Sequence, residues 1–113
     1  MEIGETIYLT TREEFREWLE QNHKIKKEIW LIQYKKFTNK PSIPYVDAVE
    51  EAICFGWIDG FEKGMDEQRF AKRFTPRRQK SLWTDTNIER AHRMIEEGNM
   101  TEAGLTVLPK GVK

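Results

Sequence analysis

The chain has one cysteine, Cys54, and so cannot close an internal disulfide. A reducing compartment is expected, with the cytoplasm as the default location. Two histidines, His23 and His92, stand far apart, and no CxxC, HxxxH or HExxH spacing occurs. No metal site and no cofactor are therefore expected. The glycines form no phosphate cradle, since Gly56-Trp57-Ile58-Asp59-Gly60 has neither Walker nor Rossmann spacing. No run reaches the roughly 20 apolar residues that cross a bilayer, so membrane insertion is not expected. The first residues lack the basic and apolar regions of a signal peptide. Net charge is absent too, with 19 Lys+Arg against 19 Asp+Glu.

What is present is enough for one folded domain: 113 residues, 38% hydrophobic and 12% aromatic. The charge is divided rather than mixed. Residues 1–67 hold 9 basic against 14 acidic side chains, and residues 68–113 hold 10 against 5. Between Gln68 and Thr84 six cations (Arg69, Lys72, Arg73, Arg77, Arg78 and Lys80) occur with no acid. On a neutral protein this is a polarised surface.

Periodicity predicts the order β-α-β-α-β-β-α. Residues 6–10 form a short strand, and Thr11 with Glu14 has capping-box spacing at the head of a helix over about 12–22. Residues 28–37 form a strand with Trp30, Ile32, Tyr34 and Lys36 on one face. Pro44 suits the first turn of a helix over about 44–55, which ends at Gly56. Residues 57–62 and 68–75 make a hairpin, with Gly64 supplying a positive φ in its turn and Pro76 ending its second strand. A third helix starts near Thr84 and stops at Gly98. Residues 101–105 add at most one turn, and 106–113 read as a frayed tail after a domain of residues 1–105. The fold class is α+β: a single domain with an antiparallel or mixed sheet of about four strands and about three helices mainly on one face.

The basic segment is the leading site. Arg69, Arg73 and Thr75 share a strand face, and Arg77, Arg78, Lys80 and Ser81 follow in a loop before a helix N-terminus. Guanidinium forks beside free helix-end donors suit phosphate or carboxylate. The competing reading is a solvated loop, or arginines neutralised by the acidic half. Asp59 shares a strand face with Trp57 and Phe61 and needs a partner if buried, which Arg69 or Arg73 would supply. Trp57 and Trp83 either close the core or stack a base or sugar. Cys54 reads as a buried inert thiol.

Three ordered stretches resemble the YdeI/OmpD-associated (OmdA) family: residues 45–60 ending in GWIDG, residues 73–83 (RFTPRRQKSLW), and residues 97–104 (EGNMTEAG). The upstream Asn22-His23, Trp30 and Tyr34-Lys35-Lys36 add to the likeness, which covers roughly residues 12–105. The extra basic helical segment of longer members does not follow here. The resemblance implies an association with bacteriocin protection or antimicrobial-peptide resistance, and it names no reaction. By motif it singles out Trp57, Asp59, Thr75, Pro76, Arg77, Arg78, Ser81 and Trp83.

The expected function is a binding module for an anionic ligand, either nucleic acid or a phosphorylated small molecule. Lys36, Trp57, Asp59, Arg73, Thr75, Arg77, Arg78, Lys80, Ser81 and Trp83 are the candidate contacts, in a monomer or weak homodimer. Two alternatives stay open: a small enzyme using Asp59 as acid/base with arginine stabilisation, and a protein–protein interaction domain.

Overall fold

In a computed structural model, which describes residues 1–112, four strands form one mixed sheet. They are β1 (Thr6–Ile7), β2 (Ile29–Tyr34), β3 (Trp57–Gly64) and β4 (Arg69–Pro76). The order is β1-β2-β4-β3; β1 runs parallel to β2, and β4 is antiparallel to both neighbours. β1 stops three residues earlier than its composition suggests, because Leu9 turns into the core and its carbonyl accepts from Ile43 N–H at 3.0 Å. β2 stops at Tyr34, and Lys36 lies in a 3-10 turn (Lys36–Thr38) instead of on the strand. Thr38 N–H closes that turn on the Lys35 carbonyl, and Asn39 adopts φ 56°.

The hairpin turn is also built differently. Gly64 stays in β3, and the Asp66 carboxylate organises the reversal by accepting from Gln68 and Arg69 N–H at 2.9 and 2.8 Å. An Asx side chain replaces the glycine conformation. Within β3, Asp59 pairs with Phe74 and Glu62 with Lys72, so three steps on β3 match two on β4. This bulge keeps Asp59 and Glu62 on one face and moves Phe61 to the other.

Helices α1 (Arg12–Asn22), α2 (Tyr45–Cys54), α3 (Asp85–Glu96) and α4 (Glu102–Leu105) complete the α+β domain. The capping box at Thr11 and Glu14 starts α1, and threonine hydroxyls cap α3 and α4. Pro44 sits one residue before the first helical position of α2. Phe15, Leu19, Val49, Ile53, Ala91 and Met94 pack onto Ile29, Leu31, Trp57 and Phe74, so the core lies on one face of the sheet. Residues beyond 105 are docked: Leu108 packs on this core and Val112 is buried. Lys113, the last residue of the expected tail, lies outside the described residues.

The three long helices are tied by adjacent buried acids of α2. Glu51 accepts from Arg12 Nε and Nη2 at 2.8 and 2.6 Å and from Arg16 Nη1 at 3.1 Å. Glu50 takes Arg12 from α1 at 3.0 Å and Arg93 Nε from α3 at 3.0 Å. Burial opposes the Arg12 charge, but hydrogen bonds and attraction from Glu51, Glu50 and Asp47 override it and raise its pKa. Removing one side of such a network leaves buried charge uncompensated. Glu51→Ala is therefore expected to cost about 3 kcal/mol in urea denaturation. Glu5→Ala, which breaks an exposed pair with Lys26, should leave the midpoint unchanged.

Candidate functional site

At the end of β4, Pro76 lies opposite Trp57, and the next N–H, that of Arg77, donates to the Gly56 carbonyl at 2.7 Å. That bond extends the β3–β4 pairing by one residue and fixes the Arg77 backbone. Only 6% of Arg77 is exposed, and its guanidinium lies 3.8 Å from the centre of the Trp83 ring. Nη1 donates to Ser81 Oγ and to the Leu82 carbonyl, both at 3.0 Å. Nε and Nη2 are buried and have no hydrogen-bond partner among the described residues. Burial lowers the Arg77 pKa to about 10, against the weaker opposing attraction of Asp59.

The six cations of the acid-free segment divide into two groups. Arg69 bonds Asp66, Arg73 Nε bonds Glu28 at 2.7 Å, and Lys72 lies 3.6 Å from Asp59 and 3.7 Å from Glu62. Arg77, Arg78 and Lys80 form no salt bridge among the described residues. Neutralisation by the acidic half thus holds for the strand cations and fails for the loop. Arg78 and Lys80 are exposed, Lys80 with φ 62°, and Gln79 ties the loop to the Thr106 carbonyl at 3.1 Å. Ser81 and Trp83 are half-buried, while Leu82 is 94% exposed.

The structure thus brings together Arg77, Ser81 and Trp83, with Arg78 and Lys80 on the same loop. Arg73 and half-buried Thr75 point to the other face of the sheet, as the pairing of Arg73 with Trp30 shows. Lys36 follows Tyr34, which pairs with Arg69, and so lies at the far end of the sheet from Arg77. Trp57 is 1% exposed and edge-on to Trp18 at 5.6 Å, which makes it core and no stacking platform.

Asp59 does not pair with an arginine. The register places it on the helix side, opposite Phe74, whereas Arg69 and Arg73 occupy the other face. Its partners are the Tyr45 hydroxyl, which donates at 2.9 Å, and Lys72. Burial and that hydrogen bond raise the Tyr45 pKa. The cavity beside this group holds about 60 Å³, lined by Tyr45, Lys72 and Phe74 among others. That is room for about two waters. Tyr45 and Lys72 were not among the sequence candidates. Lys72 carried a signal, since a cation between Phe70 and Phe74 on one strand face calls for an anion.

The three stretches singled out in the sequence meet at one corner. Thr101, in the third, donates its N–H to the Cys54 carbonyl at 3.1 Å. A Cβ on Gly104 would fall 2.8 Å from the Ile53 carbonyl, and one on Gly56 would fall 2.8 Å from that of Ala103. Gly56 also holds φ 76°. Cys54 is buried at this corner, and burial followed by repulsion from Glu51 pushes its thiol up to about 12, so it is inert. Among the described residues no cluster of His, Cys, Asp and Glu could hold a metal ion, and no helix is long and apolar enough to cross a membrane.

Gly56→Ala should destabilise by more than about 1 kcal/mol, the left-handed cost alone. Gly98→Ala, also at φ 76° but in open space, isolates that backbone part. The difference between their denaturation midpoints measures the contact with Ala103. For Arg77, a depressed pKa means that the charge opposes folding at neutral pH, with relief only as pH rises through about 10. Arg77→Met should therefore keep or raise the neutral-pH midpoint. A loss of several kcal/mol would show that the ring stack and loop bonds outweigh the buried charge.

No curated protein and no solved structure matches the chain. The family model described as "Domain of unknown function (DUF8412)" matches residues 7–107, a span that includes all four helices, Gly56 and the Arg77–Trp83 loop. The chain belongs to that family.

Proposed function

We propose that the protein is an anion-binding module whose recognition group is Arg77. One observation carries this reading: an arginine only 6% exposed, with Nε and Nη2 buried and lacking partners among the described residues. An unpaired buried cation is costly, and its retention calls for a compensating role. Nε and Nη2 form the side edge of the guanidinium, which takes two oxygens of a phosphate or carboxylate in parallel. Trp83 holds the plane of the fork, and Nη1 is already committed to the loop.

Nε and Nη2 are buried, so access requires a local opening, which we assign to the loop of residues 78–82 bonded to Nη1. Arg78 and Lys80, exposed and without salt bridges, supply the field that draws an anion there. The ligand class is a phosphorylated small molecule or nucleic acid. We also propose kinship with the YdeI/OmpD-associated family; the packing of its three motif regions around Gly56 supports this. A cytoplasmic location accords with the single buried thiol.

The test is a titration followed by tryptophan fluorescence, with pyrophosphate, nucleotides and a single-stranded oligonucleotide. Arg77→Met should weaken binding at least about tenfold, as expected for a charged hydrogen bond. Arg77→Lys should not restore it, since an ammonium lacks the fork. If the oligonucleotide is the ligand, affinity should fall steeply with salt. Binding by no probe, or equal binding by Arg77→Met, would overturn the proposal.

A further inference from the structure

The face of the sheet away from the helices carries a feature that the anion site does not use. Trp30 lies on that face, opposite Arg73 and outside the helix-covered core, yet it is 0% exposed. Its cover is the N-terminal segment. From β1 the residues before Thr6 run back across the face, and the Met1 carbonyl accepts from Lys63 Nζ on β3, at the opposite edge of the sheet. Gly4 passes directly over Trp30: a Cβ there would lie 3.5 Å from the indole Nε1 and would collide with the Glu28 carboxylate.

Trp30 Nε1 is buried and has no partner among the described residues. Buried indole N–H groups ordinarily find an acceptor, and an unmet one is costly. Beside it lies a cavity of about 280 Å³ lined by Met1, Trp30, Phe61, Glu62 and Lys63. Its volume corresponds to about nine waters, enough for a one- or two-ring molecule. The β3 bulge delivers Phe61 to this cavity, where it stays 62% exposed. Bulges commonly re-aim a side chain beside a site. Charge narrows the ligand class. Glu62 and Lys63 both line the cavity, and Glu28 beside Trp30 is paired with Arg73, so the rim is balanced and suits an uncharged ring.

We propose that this cavity binds a small flat heteroaromatic molecule, stacked on Phe61, with a ring acceptor taking the Trp30 Nε1 hydrogen. The Met1–Gly4 strap, tied to β3 through Lys63, shifts to admit it. The site is separate from Arg77, which lies beyond the Trp57–Pro76 end of the hairpin and does not line this cavity.

The experiment follows the indole N–H signals of Trp18, Trp30, Trp57 and Trp83 by NMR of the full ¹⁵N-labelled chain. The probes are adenine, nicotinamide and indole. Adenine and nicotinamide should shift the Trp30 signal saturably and leave that of Trp83 in place; indole, which offers no ring acceptor, should bind more weakly. Phe61→Ala should weaken adenine binding by about fivefold or more, as loss of a stacking partner does. Because Phe61 is exposed, unchanged Trp18 and Trp57 signals will show that this variant is folded. Arg77→Met should bind adenine as the parent does, which separates this site from the anion site. A Trp30 signal unmoved by all three probes, or parental affinity in Phe61→Ala, would overturn the proposal.

Discussion

The hydrogen bond from Arg77 N–H to the Gly56 carbonyl, 2.7 Å long, is the constraint on which the functional end of the molecule depends. Gly56 lies in the two-residue link between α2 and β3, and its carbonyl accepts from the first residue after β4, so one residue joins three elements. Its positive φ and the nearby Ala103 carbonyl leave no room for a side chain. The same corner receives Thr101 on the Cys54 carbonyl. With the backbone held in this way, the Arg77 side chain enters the protein beside Trp83 instead of entering solvent. The backbone that carries this buried side chain is thus anchored to a residue 21 positions earlier in the chain.

A second ionic arrangement works in the opposite sense. The acids of α2 are satisfied by Arg12, Arg16 and Arg93, so the buried charge of this helix is compensated by its neighbours and holds the helices together. Along β4 each cation has its own carboxylate. The apparent +6 of the basic segment shrinks, once these pairs are made, to three neighbouring side chains on one loop. Electrostatics therefore separates a scaffold that is internally compensated from a short segment that is not.

Much of this was legible in the chain. Helix starts were marked by Thr11, Thr84 and Thr101, and helix stops by Gly56 and Gly98, because caps and left-handed residues are local signals. The sheet class followed from alternation and hairpin spacing. The partners of Asp59 were not legible, since a one-residue bulge and the pairing register decide which face each side chain takes. Lys36 was misplaced for a related reason: alternation continues through Lys35 and Lys36, but the backbone turns there. The loop residues were found by composition; that Arg77 is buried against Trp83, and Arg78 is exposed, is set by tertiary contacts that composition does not carry. Trp30 gave no sign, because its cover comes from the N-terminal segment.

The two margins of the sheet are closed by different means. At one margin β1 pairs with only Trp30 and Leu31, and further along β2 the N–H of Tyr34 is taken by the Ser42 hydroxyl at 2.8 Å. At the other, β3 is interrupted by its bulge and bears Glu62 and Lys63 beyond it. An open edge with unpaired N–H and C=O groups invites a second chain to add a strand, and shortness, plugging, bulges and charge each discourage it. The displacement that carries Phe61 out of the Asp59 face therefore also guards the chain against edge-to-edge aggregation.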